Sequence, residues 1–130
     1  MQQQALDLPV RPRYGFETFI TCSGNSTALE FSHRITDPSE PEKLLYLYGP
    51  SGSGKTHLLH AIGRKLAEDR YQIISCKNLT IPVTDSGNLL LVDDLDQLTD
   101  IPDLRNGLWE AFNQHYIAGH TLALAGRFPP

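Results

Sequence analysis

The sequence lacks the features that mark a secreted or membrane-spanning protein, and its cysteines lack the spacing of a metal-binding pair. Its only two cysteines, Cys22 and Cys76, are too far apart to form a metal-binding pair. No apolar run approaches the length of a signal peptide or of a membrane span. We therefore expect a cytoplasmic protein that has no membrane partner and whose thiols are reduced and buried as small hydrophobic groups.

An excess of positive charge is missing as well. The formal net charge is -4 at pH 7, so the chain has no general attraction for nucleic acid or for an anionic membrane. We therefore expect no direct nucleic-acid binding by this chain. Its 130 residues are enough for one domain with a single hydrophobic core.

Signals for strands and helices alternate along the chain. Apolar runs predict four strands, at Leu44–Tyr48, Gln72–Cys76, Leu89–Val92 and Thr121–Ala125. Helical spacing predicts one helix from a cap at Asn25 to Ile35, one over Lys55–Asp69 and one over Asp103–Ala118. In the second helix the expected buried face consists of Leu58, Leu59, Ile62 and Leu66. The alternation predicts an α/β fold of three layers, in which a parallel sheet lies between helices.

The first fifteen residues differ in composition from the rest. They contain three consecutive glutamines and two prolines among short apolar residues, which favours an extended segment over a packed one. We therefore divide the chain into a flexible arm, 1–15, and a core domain, 16–130.

The segment between the first strand and the second helix has the spacing of a phosphate-binding loop. Its pattern is Gly-x-x-x-x-Gly-Lys-Thr, over Gly49, Pro50, Ser51, Gly52, Ser53, Gly54, Lys55 and Thr56. Glycines let the backbone wrap around phosphate oxygens, and the start of a helix adds partial positive charge. We expect Lys55 to reach the β- and γ-phosphates of a nucleotide and Thr56 to ligate Mg²⁺. The alternative is a glycine-rich turn that happens to fit.

Two aspartates follow the third strand. A carboxylate at the carboxyl end of a buried strand beside a phosphate loop can hold hydrated magnesium, and we assign this role to Asp93. We assign to Asp94 the catalytic role of polarising or deprotonating the attacking water. The alternative is a solvated strand end or helix cap, which is the role that we expect for Asp96.

The stretch Tyr48–Gly63 closely resembles the DnaA family of bacterial replication-initiator AAA+ ATPases and their shorter Hda-type relatives. The continuation His57-Leu58-Leu59-His60-Ala61 is more specific than the loop alone. The resemblance implies an AAA+ P-loop core that binds ATP or ADP with Mg²⁺, and it adds His57 to the nucleotide-binding residues. Tyr14–Ile20 looks like the segment that closes over the adenine base in this family, which implies a pocket of Phe16, Phe19 and Ile20. Core packing is the alternative for these three side chains.

The chain departs from the family in three places. Where family members carry a polar or acidic residue beside the γ-phosphate, this chain has Gly126 or Arg127. Lys77–Asn88 is too short for the helical insertion with which the initiator engages single-stranded DNA. The sequence stops at Pro130, before the family's fifth strand, arginine finger and helical lid, as expected of either an abbreviated protein or a fragment. We therefore expect four strands without a lid, and at most weak ATP hydrolysis by this chain alone.

The arm carries a second resemblance. Gln3–Pro9 is similar to the N-terminal peptide with which Hda-type regulators bind the DNA polymerase sliding clamp. The resemblance implies that Gln3, Leu6 and Leu8 dock into an apolar cleft of the clamp. The alternative is a tail with no binding role.

Three functions fit these observations. The first is a nucleotide-dependent regulator of replication initiation that contacts the initiator DnaA, the sliding clamp, or both. The second is a P-loop phosphotransferase that acts on a metabolite, which would need an acceptor pocket and a lid. The third is a non-catalytic interaction module with the same fold, which would have no chemical reason to keep all four of Lys55, Thr56, Asp93 and Asp94.

Overall fold

The computed structural model of the protein describes residues 26–50, 54–68, 70–80 and 87–128. In these ranges the helices are α1 (Ser26–Ile35), α2 (Lys55–Ala67) and α3 (Pro102–Ile117). The strands are β1 (Leu44–Tyr48), β2 (Ile73–Ser75), β3 (Leu89–Asp93) and β4 (Thr121–Gly126). Short 3₁₀ turns follow β2 and β3, at Cys76–Asn78 and Leu95–Gln97.

The four strands form one parallel sheet with the order β1-β4-β3-β2. In this register Tyr48 lies beside Gly126, and Ser75 lies beside Asp93. Because all strands run in the same direction, their carboxyl ends meet at one edge of the sheet. Ligands of open α/β sheets bind beyond this edge, and the phosphate-loop pattern follows β1 there.

Helices cover both faces of the sheet, which gives the predicted three layers. Alternate side chains of a strand point to opposite faces, so Leu91 of β3 faces α1 and α2, whereas Leu90 and Val92 face α3. The core on the α1 and α2 side contains Ile35, Leu47, Leu58, Leu59, Ile62, Leu91, Ala123 and Ala125. The core on the α3 side contains Cys76, Leu90, Val92, Leu108, Leu122 and Leu124. Each fully buried leucine contributes about 1.5–3 kcal/mol to folding.

The predicted elements are confirmed, with two local corrections. Cys76 was expected to end the second strand, but it begins a 3₁₀ turn, because β2 ends at Ser75 where its pairing with β3 stops. Leu66 was expected on the buried face of α2, but 40% of it is exposed. It lines an open cavity with Leu89 and Thr121, at the amino ends of β3 and β4, so the last turn of α2 extends past the sheet.

The end of α3 directs the chain into β4. Gly119 has a φ of 76°, a left-handed conformation that favours glycine. The amide of His120 donates to the carbonyl of His115 at 3.0 Å, and the amide of Gly119 donates to the carbonyl of Tyr116 at 3.2 Å. This pair of hydrogen bonds is a Schellman cap, and it turns the chain sharply so that β4 begins at Thr121.

No helix in the described part of the chain has both the length and the apolar character of a membrane span.

Candidate functional site

A cleft of about 320 Å³ opens at the carboxyl edge of the sheet. Its described lining comes from the start of α2, the end of β3 with the turn that follows, and the end of β4. These lining residues are Gly54, Lys55, Thr56, His57, Asp93, Asp94, Asp96, Gln97, Gly126 and Arg127. The fold thus brings the lysine and threonine of the loop pattern together with both aspartates that follow the third strand.

Gly54 forms the junction between the loop and α2. Its φ of 93° and ψ of 10° lie in the left-handed region, which glycine adopts without the steric cost of a side chain. Its carbonyl accepts the first helical hydrogen bond, from the amide of Leu58 at 3.0 Å. The amino end of α2, with its partial positive charge, therefore faces the cleft.

The Lys55 ammonium lies beside the two residues that follow β1. It donates hydrogen bonds to the carbonyl of Gly49 and to the carbonyl of Pro50, the latter at 3.0 Å. A phosphate group that reached this lysine would replace neutral carbonyl acceptors with a charged one, which gives a stronger hydrogen bond.

Thr56 and Asp93 connect the start of α2 to the end of β3. The Thr56 hydroxyl donates to Oδ2 of Asp93 at 2.6 Å, although the two residues are 37 positions apart in the chain. Asp93 is 7% exposed, and its other oxygen accepts a hydrogen bond from the amide of Asp94 at 2.8 Å. Both oxygens of this buried carboxylate are therefore held by the protein, and Asp93 lines the cleft.

The backbone of Asp94 has a left-handed conformation, with φ 54° and ψ 42°. This conformation is uncommon for residues other than glycine, although aspartate tolerates it better than most. The Ser75 hydroxyl, at the end of β2, donates to Oδ2 of Asp94 at 3.1 Å. The neighbouring strand thus orients the carboxylate to which we assign the catalytic role.

The sequence prediction missed Ser75. A polar residue that ends an apolar strand is a weak signal by itself. Only the pairing of Ser75 with Asp93 across two neighbouring strands brings it beside the acidic pair.

Asp96 was expected to cap a helix or to face solvent. In the structure it faces solvent and also makes one specific contact. It is exposed and lines the cleft. Its Oδ1 accepts a hydrogen bond from the amide of Arg127 at 3.1 Å. Arg127 itself is exposed, and its guanidinium carbon lies 5.9 Å from the centre of the Phe128 ring.

The magnesium ligands proposed for this site are oxygen atoms, the ligand type that Mg²⁺ prefers. No three histidine, cysteine or acidic side chains gather as metal ligands within the described ranges. A metal ion held by Thr56 and Asp93 would therefore complete its coordination with water and with phosphate oxygens, as is usual for Mg²⁺ in nucleotide sites.

Several predicted site residues lie outside the described residues. These are Ser51, Gly52 and Ser53 of the loop, Phe16, Phe19 and Ile20 of the adenine pocket, and Gln3, Leu6 and Leu8 of the arm. Their assigned roles remain predictions.

Comparison with known proteins identifies the family. The sequence model of the Bacterial DnaA ATPase domain matches residues 10–80. The chain is 29% identical, over 132 residues, to the chromosomal replication initiator protein DnaA of Lactococcus lactis subsp. cremoris. This alignment covers 86% of the chain but only 29% of that initiator.

Solved structures show the same fold. The AMPPCP-bound DnaA from Aquifex aeolicus superposes with a TM-score of 0.74 at 26% identity, covering 92% of this chain and 43% of that one. A replication initiator DnaA bound to AMPPCP and single-stranded DNA gives a TM-score of 0.73 at 24% identity, covering 91% of this chain and 43% of the other. The four-stranded parallel sheet with its helices is thus an AAA+ P-loop core. Because the family's sequence model matches more than half of its length, this chain belongs to the bacterial DnaA ATPase-domain family.

Proposed function

We propose that this chain binds ATP or ADP together with Mg²⁺ in the cleft at the carboxyl edge of its sheet. The observation that carries the proposal is the 2.6 Å hydrogen bond from Thr56 to Asp93. This hydrogen bond joins Thr56, which follows the loop lysine, to Asp93, which ends β3. These are the two groups that hold magnesium beside the phosphates in P-loop proteins.

The described residues fit such a ligand. The amino end of α2 presents amide groups to phosphate oxygens, and Lys55 can exchange the loop carbonyls for phosphate oxygens. Thr56 and Asp93 would hold the magnesium ion, which neutralises charge on the phosphates. Asp94, oriented by Ser75, would polarise a water molecule beside them.

We further propose that the chain acts as a regulator of replication initiation related to DnaA and Hda, through contacts with the initiator, the sliding clamp, or both. The family membership and the nucleotide-bound relative support this role. The chain spans about three tenths of the length of the curated initiators that it matches. One relative is a DnaA bound to single-stranded DNA, but the net charge of -4 in this chain favours protein contacts over nucleic-acid contacts.

Calorimetric titration with ATP and with ADP, each with Mg²⁺, tests the proposal. We expect micromolar affinity for at least one nucleotide and its loss in Lys55→Ala. The matched control is Lys65→Ala, which removes an exposed lysine from the same helix without touching the cleft. It should bind as the unsubstituted protein does.

Three outcomes would contradict the proposal. The first is no binding by the unsubstituted protein. The second is equal binding by Lys55→Ala, which would place the ligand elsewhere. The third is an equal loss in Lys65→Ala, which would indicate a general effect of charge rather than a phosphate site.

A further inference from the structure

One edge of the sheet is formed by β1, and no described strand covers it. β1 pairs only with β4 in the order β1-β4-β3-β2. The carbonyl of Lys43 accepts from the amide of Leu122 at 2.7 Å, and the amide of Gly49 donates to the carbonyl of Gly126 at 3.3 Å. Because the direction of hydrogen bonding alternates along a strand, the residues between these positions that have even numbers direct their backbone N–H and C=O groups away from β4. These outward residues are Leu44, Tyr46 and Tyr48.

The outward groups of β1 have few partners in the described part of the chain. The amide of Leu44 reaches a local acceptor, Oε1 of Glu42, at 3.0 Å. Within the described ranges, the backbone amides of Tyr46 and Tyr48 have no hydrogen-bond partner on that side. The five residues of β1 include no charge and no proline, the features that usually protect an edge strand. An apolar strand with such an edge is a template for a further strand.

Aromatic rings are exposed beside this edge, on the α3 side of the sheet. Tyr46 packs against the core of that face, and Tyr48 stacks on it with the ring centroids 6.1 Å apart. More than half of Tyr48, 56%, is exposed. Phe112 of α3 packs against the same core and contacts Trp109 and Tyr116, which are both exposed as well. The α3 side of β1 thus offers an apolar surface that a further strand can cover.

The arm, which lies outside the described residues, contains a sequence with the pattern that this edge requires. Leu6, Leu8 and Val10 alternate with Asp7 and Pro9, which is the period-two pattern of a strand with one apolar face. Proline has no N–H group, so an edge strand tolerates it only where its nitrogen faces away from the neighbouring strand. Pro9 faces away when the three apolar residues direct their own N–H groups toward β1.

We propose that residues 5–10 of the arm dock on the open edge of β1 in the same chain, as a fifth, antiparallel strand. Antiparallel pairing places residues that exchange hydrogen bonds side by side on one face of the sheet. It pairs the apolar residues of the arm with the outward residues of β1: Leu6 with Tyr48, Leu8 with Tyr46, and Val10 with Leu44. The apolar side chains of the arm then cover the exposed rings on the α3 side. Parallel pairing would direct them to the opposite face, where α1 already packs against β1.

The chain is long enough for the arm to reach this edge without a second molecule. Residues 11–25 connect the docking segment to α1. An extended chain covers about 3.3 Å per residue, so this linker spans more than the radius of gyration of a domain of this size, about 13 Å. Its two ends belong to one molecule, which gives the arm a high effective concentration at β1.

Docking goes beyond the proposed nucleotide binding and does not depend on it. It has one consequence that rests on the proposed clamp contact. Leu6 and Leu8 are the side chains assigned to that contact, and a docked arm buries them against β1. The clamp would therefore compete with β1 for the arm.

Hydrogen exchange of single backbone amides, followed by NMR in the whole 130-residue chain, tests the docking. The outward amides of Tyr46 and Tyr48 should exchange about tenfold or more slowly than they do when docking is abolished, because the arm then supplies their acceptors. The amides of Leu45 and Leu47 face β4 and should exchange at the same slow rate in both cases. They report that the sheet itself is unchanged.

Two matched pairs of variants separate strand pairing from other effects. The double variant Leu6→Ser/Leu8→Ser should lose the protection at Tyr46, whereas Asp7→Ser, whose side chain lies on the other face, should keep it. Leu8→Pro should also lose the protection, because it removes an N–H group that faces β1. Asp7→Pro should keep it, because position 7 faces away from β1 as Pro9 does.

Three results would overturn the docking. The first is equally fast exchange of the two outward amides in the unsubstituted protein and in the double serine variant. The second is protection that persists in the double variant, because another segment would then cover the edge. The third is protection that increases with protein concentration, which would make a second copy the occupant. Loss of nucleotide binding or of clamp capture with the protection intact would overturn only the proposed function.

Discussion

The ring of Tyr71 lies where a side chain on Gly63 would be. An ideal Cβ atom on Gly63 would be 2.5 Å from Cδ2 of Tyr71 and 2.6 Å from its Cγ. The Tyr71 hydroxyl and Nδ1 of His60 share a hydrogen bond at 2.9 Å. The Tyr71 ring is therefore held against α2 at His60 and at Gly63, which lie about one helical turn apart. The glycine is therefore a packing residue in a helix that would otherwise favour alanine.

We predict that Gly63→Ala destabilises the protein by about 1–3 kcal/mol, the usual cost of overpacking a core. Helix propensity alone predicts the opposite sign, because alanine is favoured over glycine by about 1 kcal/mol within a helix. Urea unfolding followed by circular dichroism measures the difference. In a Tyr71→Ala background the clash is removed, and Gly63→Ala should become neutral or stabilising. A stabilising effect in both backgrounds would show that the ring does not occupy this space.

Thr56→Val should weaken nucleotide binding only when magnesium is present. Valine has almost the same shape but no hydroxyl, so a ligand of the proposed Mg²⁺ site is lost while the start of α2 is kept. We expect a loss of about 10- to 100-fold in magnesium-dependent affinity, measured by titration with Mg²⁺ and with a chelator. Thr56→Ser retains the hydroxyl and is the matched control. If Thr56→Val loses the same nucleotide affinity in the presence of the chelator, Thr56 does not act as a metal ligand.

The buried thiol of Cys76 should make stability depend on alkaline pH. Burial, with smaller contributions from Asp94, Asp93 and Asp96, raises the pKa of Cys76 from 9.0 to about 11. The folded state therefore favours the neutral thiol. Its contribution is present below the unfolded pKa near 9 and is lost as the pH rises toward 11, by an amount on the order of 2 kcal/mol.

Urea unfolding from about pH 8 to about pH 11 measures this dependence. A Cys22→Ser background leaves Cys76 as the only thiol in the chain. Adding Cys76→Ala to this background should lower the free energy of unfolding at every pH. It should also make the decrease of that free energy above about pH 9 less steep. If the free energy of unfolding falls equally steeply with pH in both proteins, the Cys76 thiol is not the cause of the pH dependence.

ATP hydrolysis by this chain alone should be slow. The only arginine in the described lining of the cleft is Arg127, whose guanidinium stacks on Phe128, and arginine fingers in related ATPases contribute about 10³–10⁵ in rate. We expect phosphate release far below one turnover per second, and Asp94→Asn should abolish what remains while nucleotide binding persists. Turnover similar to that of a complete ATPase, or full activity in Asp94→Asn, would contradict the assigned roles.

The arm should carry any contact with the sliding clamp. Leu6→Ala or Leu8→Ala should abolish capture of the clamp in a pull-down with purified proteins, because an extended peptide depends on few apolar anchors. Gln3→Ala should weaken capture, whereas Gln2→Ala is the matched control and should not. Capture that survives the combined substitution of all three predicted anchors would place the contact elsewhere or show it to be non-specific.

The amino-acid sequence was sufficient to predict the strands and to select Lys55, Thr56, Asp93 and Asp94, which the fold brings together in one cleft. A parallel strand covered on both faces must be apolar throughout, so Leu44–Tyr48 and Leu89–Val92 stand out without any knowledge of their partners. The spacing that ends at Lys55 and Thr56 is a local property of the chain. Thr56 and Asp93 could both be expected at the carboxyl edge of the sheet, because Thr56 follows β1 through the loop and Asp93 ends β3.

Only the tertiary structure decided the contacts that depend on strand order and register. Period-two alternation assigns a side chain to a face of the sheet, but not to a neighbour on it. Tyr46 reaches the carbonyl of Phe128 across 82 residues because β1 lies beside β4. Ser75 reaches Asp94 because β2 pairs with β3. The sequence by itself therefore determined the fold class and the phosphate-loop pattern, whereas the contacts of Ser75, Tyr46 and Asp96 depend on the order β1-β4-β3-β2, which places separate strand ends together.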